Sequence, residues 1–192
     1  MSLLIKPRTA LLLLLGAAVA VPILSGCGSA PAEAVSSYEP FEASDKSVVG
    51  EAPAGWEKEA GDTGGTLARI NFTQGNAKIR VRADAGASFM ADAMKNGPIP
   101  VIDAMHEKGI KQLEEFVSNP EAMPAQTMKS PIGEARYSEF TADGGKTHGY
   151  RSTAIGPQRV ISVTASCPES DWETLKPAFS KVIGSLQNGT GP

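Results

Sequence analysis

The chain has 192 residues, of which 41% are hydrophobic and 20% are charged, and its formal net charge is −3 at pH 7. This length and composition fit one globular domain with additional segments. The acidic balance argues against a general nucleic-acid binder, because such proteins need a surplus of basic residues to displace counterions from phosphate. Two histidines and two cysteines leave few groups for a metal or nucleophile site.

Residues 1–26 have the pattern of a secretory signal peptide. Lys6 and Arg8 make the start basic, and Leu11–Val21 is an unbroken apolar run that ends before Pro22. A basic start, a short apolar core and small residues before a cleavage site are typical of such signals. The alternative is a membrane-spanning anchor, but that needs roughly 20 apolar residues.

The residues at the predicted cleavage site resemble a bacterial lipobox. Leu24-Ser25-Gly26 precedes Cys27, whose thiol receives a diacylglycerol in proteins that carry this motif. The resemblance implies an extracytoplasmic protein, lipidated at Cys27 and held on a membrane surface. Two or three acyl chains anchor a protein stably, at roughly 0.8 kcal/mol per buried methylene. Gly28, in place of an aspartate, favours the periplasmic side of the outer membrane if the organism is Gram-negative.

The second cysteine is predicted to stay free. If lipid occupies Cys27, Cys167 has no partner within the chain, and no disulfide is expected. Cys167 is in phase with the inward row Ile161, Val163 and Ala165, so we interpret it as a small buried apolar residue.

Residues 27–52 are predicted to form the lipidated cysteine and a flexible tether. Ala, Ser, Glu, Pro and Gly dominate this stretch, and such a composition buries too little apolar surface to offset the entropy of ordering. A flexible chain of about 25 residues spans roughly 28 Å. That distance would lift a single domain, predicted over residues 53–188, clear of the lipid headgroups.

The domain is predicted to contain a β-hairpin and then helices. Leu67–Phe72 and Lys78–Ala83 alternate apolar with polar residues on either side of a glycine-containing turn, which is typical of a hairpin. Ser88 is predicted to cap a short helix ending at Met94. Apolar residues then recur at three- and four-residue intervals over residues 102–117, which predicts an amphipathic helix. A proline-rich loop is expected over residues 118–131.

Three further strands and a final helix complete the prediction. The strands Gly133–Thr141, Lys146–Ile155 and Arg159–Ser166 are joined by glycine-containing turns. The last helix is expected to have a capping box formed by Ser170 and Glu173 and to begin near Pro177 after one preliminary turn. Its apolar stripe is predicted to be Trp172, Leu175, Phe179, Val182, Ile183 and Leu186. A hairpin plus a three-stranded meander, covered by helices, indicates an α+β fold with an antiparallel sheet.

The element order and two local patterns resemble the PsbP-like superfamily. One pattern is Pro53-Ala54-Gly55-Trp56, and the other runs from Val160–Thr164 through Trp172, Leu175-Lys176-Pro177 and Phe179 to Val182-Ile183-Gly184-Ser185-Leu186. The resemblance covers about residues 52–187 and implies a sandwich of antiparallel sheet and helices. The superfamily includes an extrinsic photosystem II subunit, a Ran-binding nuclear factor and bacterial lipoproteins, so it implies accessory binding roles rather than catalysis.

A basic row is the candidate binding surface. Arg69, Lys78, Arg80 and Arg82 are all predicted to face away from the core, and Arg151 is included as a possible further member. Such a row could meet an acidic protein, an anionic cell-wall polymer or lipid headgroups. The alternative is a solvated sheet face whose charges discourage aggregation between strands.

No catalytic site, metal site or cofactor is predicted. His106 and His148 are interpreted as isolated polar residues, because no carboxylate spacing supports a metal site. Ser166-Cys167 lacks the glycine frame of a nucleophile elbow.

The sequence therefore favours a membrane-anchored, extracytoplasmic lipoprotein that acts as a non-catalytic accessory or binding module of the cell envelope. Its expected partners are the membrane, through the N-terminal lipid, and an envelope protein or anionic polymer, with no nucleic acid. The alternative is a small-ligand binding or carrier protein with a pocket between sheet and helices. An enzyme is a third class, which would require convergent polar groups in a cleft.

Overall fold

A computed structural model describes residues 32–62, 67–85, 101–157 and 159–191 of the chain. The predicted signal peptide, Cys27 and the predicted short helix at 88–94 lie outside these ranges. Within them, no helix is long and apolar enough to cross a membrane.

An eight-stranded antiparallel sheet forms the centre of the fold. Its strands are β3 (Glu57–Asp62), β4 (Leu67–Gln74), β5 (Ala77–Ala85), β6 (Glu121–Ala122), β7 (Gln126–Ser130), β8 (Gly133–Ala142), β9 (Thr147–Ile155) and β10 (Arg159–Pro168). The strand order is β3-β4-β5-β10-β9-β8-β6, and β7 also pairs with β8. The predicted hairpin (β4–β5) and the predicted meander (β8–β9–β10) are both confirmed, and pairing of β5 with β10 joins them into one sheet.

The turns of this sheet use the residues that the sequence suggested. Gly75 has φ of 56° between β4 and β5. Between β8 and β9, Asp143, Gly144 and Gly145 all have positive φ, of 55°, 67° and 82°. Glycine adopts this region without steric cost, and aspartate tolerates it better than most residues.

A second, three-stranded sheet corrects the predicted tether. It contains β1 (Tyr38–Glu42), β2 (Val48–Pro53) and β11 (Gln187–Asn188) in the order β1-β2-β11. Phe41, Val48 and Ala52 are buried in the main core. The prediction of a flexible tether through residue 52 is therefore wrong for residues 38–52, because residues distant in sequence supply the apolar surface that this stretch lacks by itself.

Two helices lie on opposite faces of the large sheet. The helix α1 (Val101–Lys111) continues into a 3₁₀ turn, Gln112–Glu115, and contacts β8 and β9. The helix α2 (Trp172–Ser185), preceded by a 3₁₀ turn at Glu169–Asp171, contacts β9, β10 and β2. Sheet and helices together confirm the predicted α+β class.

Three sequence-based details are wrong. Pro177 lies inside α2 and not at its start. Because proline has no backbone N–H, it removes one helical hydrogen bond close to the N-terminus. The N-cap of α2 is Asp171, without a side-chain cap hydrogen bond, so the predicted capping box is not formed. The predicted loop over 118–131 contains β6 and β7, which gain their hydrogen bonds from β8 despite the prolines.

The two faces of the sheet differ in chemistry. The main apolar core lies between the sheet, α2 and the small sheet. Beneath α1 there are two smaller apolar clusters, one around Ile102 and the other around Leu113. Between them the interface is polar, and this places charged side chains in the interior.

Candidate functional site

The register places the five basic residues of the sequence analysis on one face of the large sheet. Arg69 on β4 is opposite Arg82 on β5. Arg80 is opposite Thr164 on β10, and Thr164 is opposite Arg151 on β9. Directly opposite residues of antiparallel strands project from the same face. We use "basic row" for Arg69, Lys78, Arg80, Arg82 and Arg151.

The basic row runs from solvent into the interior. Arg69 and Lys78 are exposed, and Arg80 and Arg82 are partly buried. Arg151 is only 6% exposed, so the expectation that it faces solvent is wrong. The reason is that α1 covers this part of the sheet, which a strand pattern alone does not reveal.

Gly109 allows α1 to pack directly on the guanidinium of Arg151. A Cβ at position 109 would lie 2.8 Å from both Nε and Nη2 of Arg151. Nη1 donates to Thr164 Oγ1 at 2.7 Å, whereas the buried Nε has no hydrogen-bond partner among the described residues. The cation is thus held by a hydroxyl and a helix backbone.

A cleft of about 220 Å³ opens between α1 and this face. The sheet contributes Arg82, Asp84, Arg151, Thr153, Val160 and Ser162 to its lining. The helical layer contributes Met105, Lys108, Gly109 and Gln112. Arg82 Nη2 donates to Asp84 Oδ1 at 3.1 Å, while the buried Nε of Arg82 has no hydrogen-bond partner within the described ranges. Cations therefore outnumber carboxylates in the lining.

Burial and mutual repulsion act on the cations of the row. Burial, then the charge of Arg82, lowers the pKa of Arg151 to about 10, and Asp84 opposes this change. Burial, followed by the charges of Arg69 and Arg82, also lowers the pKa of Arg80. Guanidinium groups stay protonated at neutral pH in both cases. The row therefore carries positive charge in surroundings that a bound anion would make more favourable.

Arg136, another buried arginine of this face, shows how such a charge is normally compensated. It donates through Nε to Asp103 of α1 at 2.5 Å and through Nη1 to Glu134 at 2.9 Å. Arg151 forms no comparable ion pair with a carboxylate of the described chain. We call Arg151 uncompensated in the sense that no carboxylate is hydrogen-bonded to it, although Asp84 and Glu115 act on it through space.

His106 is not the isolated polar residue that the sequence suggested. It lies at 2% exposure beneath α1, with Nδ1 3.2 Å from Thr153 Oγ1 and Nε2 3.0 Å from Ser138 Oγ. Burial, followed by the charges of Arg151 and Arg136, lowers its pKa to about 4. The imidazole is therefore neutral at pH 7, and one ring nitrogen donates to a hydroxyl while the other accepts from one.

His148 is also buried, on the face of the sheet that α2 covers, and is not isolated. Its Nε2 lies 2.8 Å from Glu139 Oε1 and its Nδ1 lies 2.7 Å from Glu169 Oε2. Its ring stacks on Trp172, with centroids 3.9 Å apart. Both nitrogens are engaged by carboxylates, and the described residues contain no group of three or more side chains that could hold a metal ion.

Comparison with known proteins identifies the fold. No family model and no curated protein match the sequence. The solution structure of cyanobacterial PsbP (CyanoP) from Synechocystis sp. PCC 6803 matches with a TM-score of 0.60 at 14% sequence identity, over 86% of this chain and 98% of CyanoP. The fold is PsbP-like. The predicted resemblance is thereby confirmed for the fold. At 14% identity the comparison shows the fold alone.

Two further solved structures align less well with this chain. LpqN, described as involved in cell envelope biogenesis of Mycobacterium tuberculosis, has a TM-score of 0.47 at 12% identity, over 80% of this chain and 91% of LpqN. PA94, a protein of unknown function from Pseudomonas aeruginosa, has a TM-score of 0.41 at 12% identity, over 77% of this chain and 94% of PA94.

In the PsbP-like sandwich, Cys167 lies in the core as predicted. It is 1% exposed, and burial raises its pKa to about 12, with smaller contributions from Asp171 and Glu169. Because the thiolate is the reactive form of cysteine, this thiol is inert at neutral pH.

Sequence reasoning missed the polar interior of the α1 face, although a signal was present. On β9 and β10 the positions in line with the basic row are Arg151, Thr153, Ser162 and Thr164. Three of these four side chains are small hydroxyls, which leave room for another layer above the sheet. Because threonine is also common on solvated strands, this signal is weak by itself.

Proposed function

We propose that this chain is an extracytoplasmic, lipid-anchored accessory protein that binds an anionic component of the cell envelope through its basic row. The observation that carries the proposal is the row itself, which sets four cations on adjacent strands β4 and β5 in line with the uncompensated Arg151. The whole chain is acidic, with a net charge of −3, so this local positive surface is a specific feature. Such a patch attracts and orients anionic partners.

The state of the buried reactive groups supports a non-catalytic role. The nitrogens of His106 are engaged by hydroxyls, those of His148 by carboxylates, and Cys167 is a buried thiol of raised pKa. General acid–base or nucleophilic catalysis needs such a group within reach of a substrate. These side chains are instead engaged in packing and internal hydrogen bonds.

Charge reversal at the exposed end of the row tests the proposed surface. The double variant Arg69→Glu/Lys78→Glu is expected to weaken binding of the full chain to an isolated envelope fraction by roughly tenfold at low salt, since each lost surface pair is worth at most about 1 kcal/mol. Co-sedimentation at low and high salt measures the effect. High salt should reduce binding of the unaltered protein, because it screens exposed charges.

The matched control is Lys58→Glu/Lys146→Glu, which makes the same change in net charge away from the row. In the strand register Lys58 is opposite Phe72, whose side chain is in the main core, so Lys58 is on the other face of the sheet from the basic row. Lys146 lies in the turn before β9. The control should bind like the unaltered protein. Equal binding of all three proteins would show that the basic row is not the contact surface.

Replacement of Cys27 tests the proposed anchor. Cys27→Ser is expected to abolish lipidation and the cleavage that depends on it, since a hydroxyl does not replace the thiol in this modification. The variant should therefore lack the acyl chains and keep the mass of residues 1–26. Intact-mass spectrometry measures both effects. Cys167→Ala is the control, because this buried cysteine is predicted to play no part in anchoring. A Cys27→Ser protein that is still processed and membrane-bound would contradict the anchor.

Small-ligand binding is the second candidate function. The cleft does lie between the sheet and a helix, as that alternative requires. Its lining is charged and polar rather than apolar, so it favours a small anion over a hydrophobic cargo.

A further inference from the structure

We infer that the cleft beneath α1 binds a phosphate group, with Arg151, Arg82 and Lys108 as its principal ligands. The inference rests on the proposed function, since it names the chemistry that the inner end of the basic row would recognise. It follows from three features of the cleft, which are its uncompensated buried cation, its size and its set of donors.

The first feature is the contrast between two buried arginines of one sheet face. Arg136 is 9% exposed and is paired with the carboxylates of Asp103 and Glu134. Arg151 is 6% exposed, has Thr164 as its hydrogen-bond acceptor, and keeps an Nε without a partner in the described chain. Asp84 and Glu115 act on Arg151 only through space, and a buried cation without a hydrogen-bonded carboxylate is unfavourable. An anion in the adjoining cleft would supply such a partner.

The second feature is size. The cleft measures about 220 Å³, whereas pockets for drug-sized ligands measure roughly 300–1,000 Å³. A single tetrahedral oxyanion, or one such group projecting from a larger molecule, suits this volume. The cleft also adjoins the partly buried Arg82, through which the inner site is continuous with the exposed part of the row.

The third feature is the set of donors. Arg151 and Arg82 come from the sheet and Lys108 from α1, so positive charge is contributed from two layers. Ser162 and Thr153 add hydroxyls to the lining. One carboxylate, Asp84, also lines the cleft, but it is paired with Arg82 at 3.1 Å. Three cations against one carboxylate match a phosphate, which carries up to two negative charges, better than a singly charged carboxylate.

Calorimetric titration of the full chain in detergent with inorganic phosphate, at constant ionic strength, tests the site. The unaltered protein is expected to bind phosphate with one site per chain, and Arg151→Gln to weaken binding by roughly tenfold or more, as for loss of a charged hydrogen bond. Lys108→Gln should also weaken phosphate binding. Because the Lys108 side chain is exposed, this substitution should not disturb folding. Lys146→Gln removes another exposed lysine, which lies outside the cleft, and should bind normally.

A second arm distinguishes free phosphate from a phosphate ester. Glycerol 3-phosphate is titrated alongside inorganic phosphate, and tighter binding of the ester identifies a polymer or headgroup as the source. Absence of phosphate and ester binding, or equal affinity in Lys108→Gln and the unaltered protein, would overturn the inference. If the protein binds the envelope fraction through Arg69 and Lys78 but does not bind phosphate, only this inference is refuted. If it binds phosphate but not the envelope fraction, only the proposed function is refuted.

Discussion

Lowering the pH from 7 to 5 is expected to destabilise the domain by about 2 kcal/mol through His106 alone. The folded protein holds the pKa of His106 at about 4, whereas the unfolded chain has the ordinary value of 6.5. Above pH 6.5 both states are neutral, and the full stability is present. Below pH 6.5 the imidazole of His106 is protonated in the unfolded state but stays neutral in the folded state. The free energy of unfolding therefore falls by about 1.4 kcal/mol per pH unit.

The loss should continue until the pH reaches the folded pKa, and should total about 3 kcal/mol at pH 4. Urea unfolding at several pH values measures it, with His106→Gln as the reference because an amide can also donate to one hydroxyl and accept from the other. The difference in free energy of unfolding between the two proteins should shrink by about 2 kcal/mol between pH 7 and pH 5. His148 and the carboxylates are present in both proteins, so their titration largely cancels. A difference that does not change with pH would contradict the lowered pKa.

The β-sheet was predictable because its strands have strong local patterns. In β4 and β5, period-2 alternation separates Ile70 and Val81 from Arg69 and Arg82, and the burial of these strands follows that alternation. The central strand β9 breaks this relation, because eight of its nine residues are buried. Alternation indicates which residues share a face, but not whether that face meets water or a second layer.

The small sheet was not predictable from composition. Phe41 and Val48 are isolated apolar residues in a stretch of Ser, Glu, Pro and Ala, and the local surface that they bury does not offset the entropy of ordering. Their burial depends on contacts with residues that follow more than a hundred positions later, including Leu186. Long-range partners of this kind leave no local periodicity.

The helix α1 shows how polar residues concealed the candidate site. The buried stripe of α1 and its 3₁₀ extension is Ile102, His106, Gly109 and Leu113, which has the spacing of an amphipathic helix. The sequence pattern was based on apolar residues alone, so His106 was interpreted as an isolated polar residue and not as part of that stripe. The covered face can accept His106 since hydroxyls on β8 and β9 satisfy its ring nitrogens.

The division of the two faces is consistent with a small domain that combines stability with the proposed binding. The face beneath α2 is filled with apolar and aromatic side chains, whereas the face beneath α1 carries buried charge at a stability cost. Groups that are costly to bury are frequent at functional sites, where a ligand provides the missing interaction. The α2 face therefore has the larger apolar core, whereas the α1 face has only two smaller apolar clusters.

Trp172→Ala is accordingly expected to lower the free energy of unfolding by about 3–5 kcal/mol, the usual cost of removing a buried large aromatic side chain. Trp172 is 2% exposed and lies at the centre of an aromatic layer, with centroid distances of 3.9 Å to His148, 5.0 Å to Tyr150 and 6.2 Å to Phe179. Its loss leaves a cavity and removes the stacking partner of His148. Chemical unfolding followed by far-UV circular dichroism measures the effect without relying on tryptophan fluorescence.

The conservative variant Trp172→Phe separates packing from the loss of the whole side chain. It keeps a ring in the aromatic layer and should recover a large part of the stability that Trp172→Ala loses. Because Trp172 lies on the face opposite the cleft, molecules of either variant that remain folded should bind phosphate with unchanged affinity. A loss below about 1 kcal/mol in Trp172→Ala would contradict a stabilising role for this layer. Weakened phosphate binding by the folded molecules would show instead that the two faces are energetically coupled through the sheet.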